Sequence, residues 1–461
     1  MKKQEYEKLN LKREVGLIGA VSLVAGTMIG SGIFMSPQFV QANIGSPGAS
    51  LIIWSVCGLI ALGAALSYAE LGTIYKESGG DFIYILRIYG PFPAFLVAYT
   101  FMIVVRPSGI SAIALSFAEY AVAPFYPGCT PPTLVVKCIA VACILVVAIA
   151  NIMNVRFTMA VQVVFLVAKV VALIVIVIGG IVKMAQGSME SLSSTDIAFE
   201  GTNLGVSTIG MALYQGLWSY AGWYNLNFVT EEVKKPEVNL PRALMIAIPM
   251  VTVLYLLVNV SYLAVMTPRE LAVSSAVAVT WGHFFHFLQI NGPHFIHVSN
   301  TTLVQQFFSF LHFQPDILAM AHVRRLTPSP ALIFTTVISL IVLIPGDFEG
   351  IVNFFSFTAW FFYGVTLSGL LYLKIKKRDL PRSYTVPIII PFLVLLAAVF
   401  LVLAPIIDNP QIEYLYVTLF ILSGVLIYVP FIHYKLCPGF LNKLTVFLQL
   451  FLEVAPADKN L

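Results

Sequence analysis

The chain has 461 residues, of which 59% are hydrophobic, 13% aromatic and only 10% charged, with a formal net charge of +4. Soluble domains carry charged residues at about 25%, so this composition excludes a soluble globular protein and points to a chain that crosses the bilayer many times. With so few charges, their placement says more than their sum.

The first 13 residues hold Lys2, Lys3, Lys8, Lys12 and Arg13, with no small-residue cleavage pattern behind them. Residues 1–14 are therefore expected to be a cytoplasmic tail, and the first span to be its own insertion signal. Apolar runs near the roughly 20 residues that a membrane helix needs follow at 15–40, 49–74, 92–118, 132–152, 158–182, 206–229, 243–266, 331–346, 351–373, 386–407 and 412–434. One domain is expected over 15–436, with spans 1–5 in about 15–182, spans 6–10 in about 206–373, spans 11–12 in about 386–436, and a cytoplasmic tail at 437–461. With the N-terminus inside, Lys76, Arg87, Arg156, Lys234, Lys235, Arg242, Arg324, Arg325 and the cations from Lys374 to Arg382 all fall on the cytoplasmic side. Only Lys183 and Arg269 fall clearly outside, as the positive-inside rule requires.

The same rule demands a crossing between Arg269 and Arg324, the eighth of about twelve spans. Residues 283–322 make a poor lipid-facing helix, because they hold all but one of the 7 histidines along with several Gln and Asn. A metal site is one reading, but the spacing is irregular and no Cys or carboxylate cluster accompanies the histidines. A locally altered segment is the other, and no metal or cofactor is expected.

Two stretches break the apolar pattern. GTMIGSGIF, residues 26–34, puts Gly26, Gly30 and Gly32 in the first span, and GLWSYAGW, residues 216–223, does the same in the sixth. Loosened backbone at membrane depth survives only where it is buried in protein or lines a cavity. For one motif alone, close packing of small residues explains the glycines as well. Paired at the head of two five-span blocks, the motifs point to inverted repeats with a site between broken helices. Free amides at such a break hold a carboxylate and exposed carbonyls take an ammonium, which suits a free amino acid.

Lys169 and Arg106 lie inside apolar spans, where charges usually face the bundle interior. Arg106 reads equally as cavity lining or as a structural contact. Of the 5 cysteines, Cys57, Cys138 and Cys143 lie in apolar spans and Cys437 follows the last one. Cys129 alone sits in a short loop on the expected outside, YPGCTPP, where an unpaired thiol suits an intermolecular bond. In TEEVKKPEVNLPRA, Glu231 and Glu232 beside Lys234 and Lys235 read either as gate ion pairs or as a solvated loop. No nucleotide-binding, zinc-protease or triad pattern appears, so neither an ATP-driven pump nor an enzyme is expected, and nothing points to nucleic acid.

The stretches GLIGAVSLVAGTMIGSGIFMSP, SYAELG, SGGDFIYI, APFYPGCTPP, VTEEVKKPEVNLPRA and VRRLTPSPAL resemble the light chains of heteromeric amino acid transporters, in the amino acid, polyamine and organocation superfamily. The likeness is closest to the branch that exchanges basic and neutral amino acids beside the heavy chain rBAT, and to its aromatic-preferring relative. It implies an all-α, leucine-transporter-like 5+5 inverted repeat of about twelve spans, the eighth doubtful, that exchanges amino acids without sodium by alternating access. It also implies a plasma-membrane location with both termini cytoplasmic, and a single-pass type II, rBAT-like heavy-chain glycoprotein bonded through Cys129. The substrate site implied is Thr27, Ile29, Gly30, Ser31, Gly32 and Ile33 with Trp218, Ser219, Tyr220 and Ala221, Trp218 closing it from outside. Lys169 resembles the lysine that stands where sodium-coupled relatives hold an ion. One departure is informative: the basic-and-neutral branch has Asp in a YDGW setting where this chain has Ala221. Without that carboxylate a buried cationic side chain lacks a counter-ion, so neutral substrates are expected. Tyr214, Trp218, Tyr220 and Trp223 nearby raise the further expectation of aromatic ones. The rival expectation, resting on 283–322, is a light-chain-like protein that does not transport.

Overall fold

The computed structural model describes residues 15–126, 129–153, 155–187, 190–283, 329–408 and 412–434, with short pieces at 320–322, 449 and 454–456. Helices dominate, as expected where lipid offers backbone groups no partners. They are α1 (Leu17–Met28), α2 (Gly32–Ile44), α3 (Pro47–Ile74), α4 (Asp81–Tyr89), α5 (Pro91–Thr100), α6 (Arg106–Val122), α7 (Thr133–Met153), α8 (Val155–Ala185), α9 (Thr195–Phe199), α10 (Val206–Ser219), α11 (Pro236–Val265), α12 (Pro268–Val273), α13 (Val277–His283), α14 (Ser329–Leu343), α15 (Phe348–Lys376), α16 (Ile389–Asp408) and α17 (Ile412–Ile427). The departure from an all-helical chain is small: Met320–His322 pairs antiparallel with Val454–Pro456.

Among the described residues, 8 helices are long and apolar enough to cross a membrane, or 9 if α1 and α2, bent by 48° at their break, form one span. The difference from twelve has physical causes. α10 stops at Ser219 because the chain breaks there, α14 has only 15 residues, and the expected eighth span falls on 284–319 and 323–328, outside the described residues.

The middle of the molecule is a bundle in which α1 packs on α11, α2 on α10, and α3 on both α11 and α10. Around it, α7, the Leu166–Ala185 part of α8 and α17 turn most of their apolar surface outward: 22%, 22% and 11% of their apolar stretches are buried. Outward Leu, Ile and Val suit hydrocarbon, so these helices face lipid.

Two local devices shape the interior. α1 ends when Ile29 leaves helical geometry, at φ −71° and ψ 81°, and α2 starts three residues later at Gly32. Between α5 and α6, Phe101–Val105 winds as a π-turn just before Arg106 and Pro107. Pro107 has no N–H to give the carbonyl of residue 103, so the ladder widens there, a distortion common at functional sites.

Candidate binding site

The breaks predicted at GTMIGSGIF and GLWSYAGW meet in space. A Cβ on Gly32 would lie 2.5 Å from the Ser219 Cα, so only glycine lets the start of α2 touch the end of α10. Gly222 takes φ +112° and turns the chain away from α10, and a Cβ there would meet the Thr27 Oγ1 at 2.8 Å. Tyr255 of α11 ties the two broken ends together. Its hydroxyl lies 2.6 Å from the Met28 carbonyl oxygen and 3.0 Å from that of Ser219, donating to one or the other.

Around this crossing lies a small cavity of ≈ 30 Å³, lined among others by Thr27, Gly30, Ser31, Gly32, Trp218 and Ala221. The amides of Ser31, Gly32 and Ile33 open α2 with no backbone acceptor among the described residues. They are the unpaired donors that every helix start leaves, with the positive end of the α2 dipole behind them. The same cavity takes in Met28 and Trp218, near the ends of α1 and α10, and Asn225, whose Oδ1 is buried without a hydrogen-bond partner among the described residues. Unpaired amide donors and an unpaired oxygen acceptor in one cavity complement a zwitterion.

Not every residue expected at the site reaches it. Ile29 and Ile33 are buried in the core beside the break. Ser219 gives its backbone to the contact with Gly32. Tyr220 turns away, its hydroxyl donating to the Trp54 carbonyl at 3.1 Å and its ring packing on Tyr255. Tyr214 donates to the Leu401 carbonyl, and Trp223 packs edge-on against Tyr68, 4.9 Å between centroids. Of the four aromatics near the second motif, Trp218 alone lines the cavity, and the other three hold helices together.

The cavity also takes in Met28, Ile113, Gly222, Tyr224 and Asn225. Tyr224 and Asn225 follow a glycine turn, and no spacing rule announced them. Arg106, left open between two readings, lines the cavity and sets its guanidinium 5.4 Å over the Phe228 ring. Lys169 is buried in α8, one turn beyond Leu166, whose side chain lies against Gly26 of α1. Cys129 is exposed and its thiol is free.

Each side of the cavity is closed differently. On the Trp218 side, the Trp218 ring meets Phe355 edge-on at 5.0 Å and Phe348 at 6.4 Å, and Phe348 stacks on Phe39 at 5.5 Å. On that side lies a second, wider cavity of ≈ 830 Å³ bordered by Asp347, Glu349, Asn353 and Tyr414. On the Val15 side the contacts are polar. Val15 donates to the Glu232 carbonyl at 3.0 Å and accepts from the Lys234 amide at 2.8 Å. Glu231 takes the Ser78 amide at 3.3 Å and gives its own to the Ser78 hydroxyl at 3.1 Å. Lys76 pairs with Glu237 at 3.0 Å and Lys374 with buried Glu70 at 2.6 Å. Among the described residues the ion pairs on this side use Lys76 and Lys374, not Lys234 and Lys235.

A family model described as amino acid permease matches residues 15–431, which includes both breaks and all the cavity residues. The chain belongs to the amino acid permease family. The permease is 45% identical to the human b(0,+)-type amino acid transporter 1, over 99% of this chain and 96% of that protein. It is 37% identical to the cystine/glutamate transporter of Pongo abelii, over 99% and 93%, and 38% identical to the large neutral amino acids transporter small subunit 2 of Mus musculus, over 87% and 77%. The permease is thus a polytopic membrane transporter, not an enzyme.

Proposed function

We propose that the permease exchanges neutral amino acids across the plasma membrane without sodium, as the light chain of a disulfide-linked heterodimer. The observation that carries this is the meeting of two helix breaks in one cavity, with the unpaired amides that open α2 and the unpaired Asn225 Oδ1. The amides take the substrate carboxylate, and the carbonyls with Asn225 take its ammonium. Thr27, Gly30, Ser31 and Gly32 form the backbone cradle, Ile29 and Ile33 hold the break in the core, and Trp218 is the roof that must swing for a larger side chain to enter.

The side chain of the substrate meets Ala221, which offers no charge, in a cavity that also holds Arg106. A lysine or arginine substrate would bury its cation without a counter-ion and near a guanidinium, an arrangement costing several kcal/mol by the general behaviour of unpaired buried charges, about 3 kcal/mol or more. Neutral side chains escape that cost. Lys169, buried behind α1, supplies the fixed cation that replaces a transported ion and keeps the cycle independent of sodium.

The face that carries Lys76, Arg87, Lys234, Lys374 and Arg382 is cytoplasmic by the positive-inside rule, which places both termini inside and the Trp218 side outside. Cys129 then lies exposed on the external face, ready to bond a single-pass type II heavy-chain glycoprotein. Uptake of labelled arginine into proteoliposomes by an Ala221→Asp variant tests the side-chain argument. A gain of at least about tenfold over the unaltered chain is expected when a buried counter-ion is supplied. Arginine uptake by the unaltered chain equal to that of leucine contradicts it.

A further inference from the structure

Between α3 and α4 the chain passes through ESGGD, residues 77–81, and this short loop is fastened to the segment behind α10 at several points. Ser78 and Glu231 exchange amide bonds, the Gly79 amide reaches the Asn227 carbonyl at 3.5 Å, and the Tyr84 hydroxyl donates to the Asn227 Oδ1 at 3.0 Å. Gly80 takes φ +54° where a Cβ would press on the Phe228 ring at 3.0 Å, so the backbone itself lies on that ring. The Arg106 guanidinium lies over the same Phe228 ring, 5.4 Å from its centroid. The loop therefore forms a strap under residues 225–231, directly beneath the cavity residues Tyr224 and Asn225.

One carboxylate anchors the strap. Asp81 is 2% exposed, and its Oδ1 accepts from the Tyr68 hydroxyl of α3 and from the Thr366 hydroxyl of α15, the latter at 2.8 Å. Its Oδ2 has no hydrogen-bond partner among the described residues. A buried carboxylate that joins three helices is costly to keep, and the apolar alternatives that would pack there equally well could not hold the loop in register. Tyr68 in turn packs edge-on against Tyr84, Trp223 and Tyr363, and Trp223 stands next to Gly222 at the cavity wall.

We propose that Asp81 is a positioning residue of the inner gate: by fixing α4 to α3 and α15 it sets the 77–80 strap against 225–231, and release of the strap is what opens the cavity to the cytoplasm. The inference rests on the amino acid site described above. In a closed strap the segment 225–231 cannot leave its place without breaking the bonds of Glu231 to Ser78 and of Asn227 to Gly79 and Tyr84 together. In an open one the segment behind α10 is free to swing with that half of the broken span.

The test uses the full chain in sided vesicles with a cysteine placed at the cavity, Ala221→Cys, and a membrane-impermeant thiol reagent applied to one face at a time. Protection of that cysteine by leucine checks the site itself, and its absence would remove the site reading before the gate is tested. With protection established, Ser78→Ala is expected to raise the labelling rate from the cytoplasmic face about fivefold, the population change for one lost hydrogen bond, and Asp81→Ala, which removes two, at least as much. Labelling from the external face falls or stays level, and the cytoplasmic KM shifts while the external KM does not. Asp81→Glu, which retains the carboxylate, returns most of the slow labelling. Unchanged cytoplasmic labelling in Ser78→Ala, a chain that inserts and still shows leucine protection, overturns the proposal. So does an equal rise from both faces in Asp81→Ala, which marks general loosening rather than a sided gate.

Discussion

The two sides of the cavity solve the same problem with opposite chemistry. On the Trp218 side the seal is made of rings: Trp218, Phe348, Phe355 and Phe39 in edge and stacked contact. On the Val15 side, proposed above to be cytoplasmic, it is made of amides, hydroxyls, carboxylates and ammonium groups: Val15 on the 232–234 backbone, Ser78 on Glu231, Lys374 on Glu70, and Asp81 between Tyr68 and Thr366. An apolar lid needs no fixed register and tolerates substrates of varied shape passing under it, since dispersion contacts are non-directional. A polar latch is directional and closes in one geometry only. The outer seal is thus expected to answer to substrate size, and the inner one to charge and protons.

The largest effect is expected where both seals converge. Gly32→Val pushes side-chain atoms into the Ser219 backbone 2.5 Å away, and leucine uptake should fall on the order of a hundredfold, the scale of an ångström-level misplacement at a site. Next, Lys374→Ala strips Glu70 of the nearer of its two cations, leaving Arg382 at 3.8 Å. A buried pair broken on one side costs about 3 kcal/mol, read as a lower melting temperature in detergent. Trp218→Ala should open the outer face, raising external labelling of a cavity cysteine roughly tenfold with no dependence on salt. If salt changes that rate, the lid is not the apolar one described.

On the Val15 side protons should act through Asp81. Burial pushes the Asp81 carboxyl up to about 6, while hydrogen bonds from Tyr68 and Thr366 and the Arg106 charge pull it down. Tyr84, Tyr224 and Tyr363 face the same carboxyl and are neutral in this range. A carboxyl raised in the closed state burdens that state fully above about pH 6 and progressively less as pH falls from there toward its ordinary value of 3.8. Lowering the cytoplasmic pH from 7 to 5 is therefore expected to favour the latched state and slow cytoplasmic labelling, and Asp81→Asn should abolish the response. The smallest effect belongs to Lys76→Gln. Its bond to Glu237 is exposed, with side chains 49% and 32% accessible, so the loss should stay below about 1 kcal/mol and vanish in high salt.

Much of this architecture was legible in the order of residues. The two glycine-broken stretches announced the crossing of α1, α2 and α10, and Ala221, singled out in the second of them, lines the cavity there. The cation pattern marked one face before any contact was known. What stayed hidden depends on side chains meeting from distant parts of the chain. Tyr255 lies in an apolar helix 227 residues from Met28, and nothing in VTVLYLLVNV marks it as the bond between two helix ends. Arg106 was visible as an oddity, but whether it faced the cavity was settled by a π-turn that no periodicity rule foresees. Tyr214, Tyr220 and Trp223 show the reverse error: aromatics beside a motif look like binding residues until their hydroxyls and edges are seen to be used by other helices. Glu231 and Glu232 beside Lys234 and Lys235 looked like the gate pairs, yet Glu231 reaches Ser78, 153 positions away.

The most direct test of the central claim is sodium-free uptake of labelled leucine and arginine into proteoliposomes, some preloaded with unlabelled leucine and some empty. The account predicts leucine uptake that depends on the internal leucine and far weaker arginine uptake under the same conditions. Leucine uptake that is equal with and without internal leucine contradicts exchange, and arginine uptake equal to leucine contradicts a site whose side-chain wall is Ala221 and Arg106.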